Sequence, residues 1–181
     1  MRSVVGGLVL VGMLALTGCV EGDRIPTLPP TPTSTPIFAS DEEALAAAED
    51  AYAAYNEVSA LIAMDGGADP ERIAPFVTEE QLTDELEGSD FYQRNGIHAS
   101  SGGVVTSTVL QQYIESDGQA EVVVYVCLDV SGARILDASG ADVTPVDRAP
   151  VIALEVVLTG DDPTSLLIAD SQQWSSTDFC S

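Results

Sequence analysis

Three cysteines, one histidine and five tyrosines are the side chains here best suited to form bonds or move protons. Cys19 stands alone, directly after Leu16-Thr17-Gly18. Cys127 and Cys180 are left over. In an oxidising compartment that pair reads as a disulfide, with two unpaired buried thiols as the alternative. Two cysteines without nearby histidines are too few for zinc. Tyr52, Tyr55, Tyr113 and Tyr125 are candidates for lining a pocket, against the plainer reading of core aromatics. His98 lies in a Gly- and Ser-rich stretch, and no Gly-x-Ser-x-Gly elbow surrounds any serine. Lysine is absent, which removes the phosphate-binding loop that needs one. Asp161-Asp162-Pro163 offers two carboxylates to calcium, too few ligands for tight binding, and a turn explains it better. These residues imply no catalytic group, no metal and no cofactor, and they lean away from an enzyme.

The first element that must position this chemistry is an address. Val4 to Leu16 is apolar, follows Arg2, is too short to span a bilayer, and ends in small residues at Gly18-Cys19. This resembles the lipobox of bacterial lipoprotein signals, which implies cleavage after residue 18 and lipid on Cys19. Two acyl chains make a stable anchor where one is marginal. Five prolines then fall at Pro26, Pro29, Pro30, Pro32 and Pro36 among threonines and Ser34, a composition that favours extended polyproline II and forms no core. Residues 1–18 are thus expected to be a signal peptide and 19–39 a disordered tether reaching up to roughly 60 Å. Residues 40–181 remain as one domain.

The formal net charge of −23 sets limits on partners. Loss of Arg2 with the leader makes it more negative still. Such a surface repels phosphate backbones and anionic headgroups, so nucleic acid is excluded and membrane attachment falls to the lipid. The expected location is the outer face of the cell membrane. The lack of lysine beside many Ala, Val, Gly and Asp residues fits a high-GC coding bias or adaptation to salt.

Helical signals come first. Ser40 with Glu43 forms a capping box, and Leu45, Ala48, Tyr52, Tyr55, Val58 and Ile62 recur on one face up to about Met64, where Asp65-Gly66-Gly67 stops the helix. Glu42, Glu43, Glu49, Asp50, Asn56 and Glu57 fall opposite, as a solvated face. A short capped piece starts at Asp69-Pro70, and another at Thr78-Glu79-Glu80-Gln81, ending at Gly88. Ser89 to Gly103 reads as loop with at most one helical turn. The period then becomes extended, with strands near Val104–Ile114, Ala120–Val130, Val151–Thr159 and Ser165–Ser171. Asp117-Gly118 is a hairpin signal, and Arg134 to Gly140 a small side hairpin or turn. The expectation is an α+β domain whose N-terminal helices pack on a curved, cone-like antiparallel sheet of about four strands.

The lipobox and Pro/Thr tether, the Ala-rich helix with Tyr52 and Tyr55, then Cys127-Leu128-Asp129, Asp137-Ala138-Ser139-Gly140, Trp174 and Cys180 occur in that order. In this the chain resembles the nuclear transport factor 2-like superfamily and, more narrowly, small lipoproteins of actinobacteria. The resemblance implies a cone that binds an envelope protein, a wall component or a small apolar ligand. The superfamily also holds isomerases and dehydratases with an Asp or His deep in the cone beside a Tyr. That alternative lacks its residues here, because the central strands carry Val, Leu and Ile where a carboxylate is wanted, and Asp129 and Asp170 fall near strand ends.

Overall fold

The computed structural model describes residues 35–176 and 178–180. The expected signal peptide, Cys19 and most of the expected tether lie outside the described residues. The body opens with helix α1 (Asp41–Met64), whose N-cap Ser40 accepts a hydrogen bond from the Glu43 amide while Glu43 reaches back to the Ala39 amide. The pair satisfies one of the donors the helix start leaves open, the Glu43 amide, and ties down the Ala39 amide just before the cap. A 3-10 turn (Pro70–Phe76) and helix α2 (Glu79–Asn95) follow.

α2 runs seven residues past Gly88, where the sequence signals a stop, and ends on Gly96 in the left-handed region (φ 61°). An interior glycine costs a helix only about 1 kcal/mol. Tertiary contact makes up that loss: Ser89 is buried and Gln93 donates to the Gly67 carbonyl at 2.5 Å. The stretch read as loop also contains strand β1 (Ile97–Ala99), which pairs with β4 (Ile135–Asp137) and sets His98 opposite Leu136.

The main sheet is an antiparallel meander of β2 (Val104–Ser116), β3 (Gln119–Asp129), β5 (Val151–Gly160) and β6 (Leu167–Gln173), in the order β2-β3-β5-β6. Asp117 and Gly118 both take positive φ in the turn from β2 to β3, as the hairpin signal requires. The molecule is therefore α+β, with helices followed by a curved four-stranded antiparallel sheet and a two-stranded ribbon beside it.

Alternation on β3 decides the layers. Val122, Val124 and Val126 are fully buried and meet Ala44, Ala48 and Tyr52 of α1 in one core with Val156, Leu158, Ile168 and Ile73. Burying each such aliphatic side chain contributes about 1.5–3 kcal/mol. The core also takes in Phe38, 2% exposed and edge-on to Tyr113, although the sequence assigns it to the tether. The Ile37 amide donates to Glu115 at 2.6 Å and seats this segment at the end of β2.

Candidate functional site

Of the four tyrosines singled out by sequence, the structure brings two together. Tyr52 and Tyr55 lie on the buried face of α1 with ring centroids 5.7 Å apart. The Tyr55 hydroxyl donates to Glu85 Oε1 at 2.6 Å, and Gln81 Nε2 donates to the same oxygen at 3.1 Å. Burial raises the pKa of both phenols, and the Glu85 carboxylate raises them further. This network clasps α1 to α2. Sequence names Gln81 only as part of a helix start and Glu85 not at all, yet Gln81, Glu85 and Ser89 form an i, i+4 polar column on a helix that must bury one side. A cavity of about 140 Å³ lies beside them, lined by Ser59, Ile62, Ala63, Glu85, Ser89 and Tyr92.

Tyr113 sits apart at the rim, where its hydroxyl accepts from the Phe38 amide at 3.3 Å. Tyr125 lies on the other side of the sheet. It alternates with buried Val124 and Val126 and pairs across strands with Val109 and Glu155, so it faces away from α1. There its ring stacks against Trp174 at 4.8 Å and Phe179 at 4.9 Å. Partial removal from water, then the neighbouring Glu155 carboxylate, raises its pKa. These four tyrosines therefore do not line a common pocket, and the interior between helix and sheet is filled by side chains at 0–8% exposure.

Cys127 shares the outer face with Tyr125 and forms a disulfide with Cys180, the two Cα atoms 5.5 Å apart. The bond draws the C-terminal segment back across the sheet, with Trp174 and Phe179 as its packing contacts. It also explains why both faces of β3 read as apolar. His98 lies on the β1–β4 ribbon, away from the tyrosine network. Among the described residues no group of three His, Cys, Asp or Glu is placed to hold a metal ion. No described helix is long and apolar enough to cross a membrane.

The third feature is a groove along the free side of β2. Val105, Thr106, Ser107 and Thr108 form one wall, and Tyr52, Ala53, Glu49 and Asp50 of α1 form the other, around about 340 Å³. The arginines among the described residues are engaged elsewhere. Arg72 pairs with Asp65, Arg94 with Asp90 and Arg134 with Asp142, while Arg148 donates to the Val130 and Ala133 carbonyls.

No family model matches the chain, and no curated protein does. Among solved structures, the intermembrane-space region of the chloroplast protein ARC6 superposes with a TM-score of 0.52 at 13% identity, covering 73% of this chain and 97% of that one. A de novo designed β-sheet protein aligns over 76% of this chain and 93% of its own at 15% identity, with a TM-score of 0.35. The first likeness concerns the arrangement of helices on a curved sheet, and it extends to fold alone.

Proposed function

We propose that this chain is a lipid-anchored protein of the outer membrane face that acts by holding a partner, without catalysing a reaction. The observation that carries this reading is the filled interior: Val122, Val124, Val126, Val156, Leu158 and Ile168 occupy the space a cone-shaped enzyme or ligand carrier keeps open. Glu85, the carboxylate closest to an enzyme's acid, is occupied by Tyr55 and Gln81. The cavity beside it, about 140 Å³, is smaller than the roughly 300 Å³ at which small-molecule sites begin, and two larger grooves, about 580 Å³ between α1, Phe76 and Leu166 and about 340 Å³ beside β2, are lined by no carboxylate but the exposed Glu49 and Asp50. An isomerase or dehydratase needs both the free carboxylate and the room.

The disulfide supports an extracytoplasmic setting, since such bonds persist where thiols are not kept reduced. The lipobox at Leu16-Thr17-Gly18-Cys19 supplies the anchor. Cys19→Ala should move the protein from the membrane fraction to the medium, and retention at the membrane contradicts the anchoring. Native mass spectrometry of the purified protein should show no small molecule bound. A stoichiometric adduct released on unfolding would return the ligand-carrier reading.

A further inference from the structure

We propose that the free side of β2 is the docking site for an extended, basic segment of a partner polypeptide, which adds to the sheet as a fifth strand. This rests on the partner-holding reading above and gives that reading its place on the molecule.

Four observations converge on β2. It is the edge of the sheet, thirteen residues long and paired with β3 on one side only among the described residues. The opposite edge is different, because Val77 bridges to Ile168 and the Thr78 amide donates to the Ile168 carbonyl on β6. β2 also exposes apolar side chains, with Val104 at 64%, Val109 at 39% and Ile114 at 48% exposure. A long edge with exposed valine and isoleucine is a template for strand addition unless charge or covering prevents it.

The groove wall supplies the chemistry of the occupant. Glu49 and Asp50 stand exposed on α1 across from Val105, Ser107 and Thr108, and no described arginine lies beside them. A strand laid against β2 presents alternate side chains to each face. Those on the α1 side meet apolar Tyr52, Ala53 and Val105 with two carboxylates at the rim, which fits arginine or lysine: an aliphatic stem along the wall and a cation at the acids. Those on the other side meet Val109 and Ile114 and fit valine, isoleucine or leucine. A second copy of this chain is disfavoured as occupant, because two bodies of this charge repel.

The test uses the full chain in detergent with synthetic six-residue probes: alternating Val and Arg, alternating Val and Glu, and the Val/Arg probe N-methylated at alternate residues. The Val/Arg probe should bind and slow amide exchange at Val105, Ser107 or Thr108 by about tenfold or more, while the Val/Glu probe does neither. N-methylation should abolish binding in one of its two registers and spare it in the other, because only every second amide points at β2. Glu49→Arg with Asp50→Arg should weaken binding about tenfold, and Asp84→Arg with Glu87→Arg on α2, an equal change in charge, less than about twofold. Equal losses from both pairs, tolerance of both N-methylated probes, concentration-dependent self-association through β2, or no binding would each overturn the docking site. A probe-induced change in Trp174 fluorescence on the outer face, without protection along β2, would overturn it too, yet leave the partner-holding reading intact.

Discussion

Removal of the disulfide is the sharpest test of how the C-terminal segment is held. The bond joins residues 53 apart in sequence, and cross-linking a loop of that size lowers the entropy of the unfolded chain by an amount worth about 4 kcal/mol at room temperature. A domain of this size unfolds with an entropy of about 0.3 kcal/mol per kelvin, so Cys127→Ala with Cys180→Ala should lower Tm by about 13 °C. Alanine at both positions avoids placing a hydroxyl or a lone thiol at Cys127, which is fully buried. The assay is thermal melting of full chain by circular dichroism, oxidised wild type against the double variant, with a reductant-treated wild-type sample as a check on the alanines. Stacking of Trp174 and Phe179 on Tyr125 is expected to keep the segment partly docked in the variant, seen as retained near-ultraviolet circular dichroism and fluorescence of Trp174, the one tryptophan of the chain. A fall in Tm below about 3 °C would refute the reasoning, since it would place the stabilisation in the aromatic contacts and not in the closed loop.

Alkaline pH should unfold the protein through Tyr52 and Tyr55. Their folded pKa values lie above the ordinary 10.0, so their contribution is complete below pH 10 and declines as pH rises beyond it, by about 1.4 kcal/mol per pH unit for each phenol. Denaturant titrations at pH 8 and pH 11 should show that slope, and Tyr52→Phe with Tyr55→Phe should flatten it. Tyr55→Phe alone leaves Glu85 with Gln81 as its remaining donor and should cost about 2 kcal/mol at neutral pH in urea titrations, as loss of a bond to a charged group does. Gly67→Ala should cost more than about 3 kcal/mol, because its Cβ would stand 2.2 Å from the Ser89 carbonyl oxygen with φ at +83°. Gly96→Ala, also left-handed but with open space around it, should cost about 1 kcal/mol, so equal effects at the two glycines would contradict the close approach of residue 67 to α2.

The α+β layout was legible because its signals are local. Ser40 and Glu43 mark one helix end, Asp117-Gly118 dictates a turn with two positive φ values, and the change from a 3.6-residue to a two-residue period separates helices from sheet. What escaped depends on tertiary contact. Gly88 reads as a stop only while Gln93 has no partner and Ser89 no cover, and in the fold Gln93 donates to the Gly67 carbonyl just past α1 while Ser89 is buried with its hydroxyl on the Glu85 carbonyl. Ile97–Ala99 forms a strand because Ile135–Asp137 arrives almost forty residues later to pair with it. Phe38 follows a Pro-rich stretch that forms no core, and its burial is set by Tyr113 on a strand still to come. The facing of Tyr125 was hidden for a related reason: residues 122–128 are apolar on both faces, one against α1 and the other under the C-terminal segment, so alternation carries no sign. The Tyr52 and Tyr55 pairing was within reach of helical spacing, whereas their partner Glu85 belongs to a second helix whose packing angle no local pattern fixes.

Intact-mass analysis of the protein extracted from membranes tests the proposed acylated, oxidised body on the outer face most directly. It should find a chain beginning at Cys19 with diacylglycerol attached, and a gain of about 2 Da on reduction as the Cys127–Cys180 bond opens. A polypeptide beginning at Met1, without lipid and unchanged in mass by reductant, would contradict it.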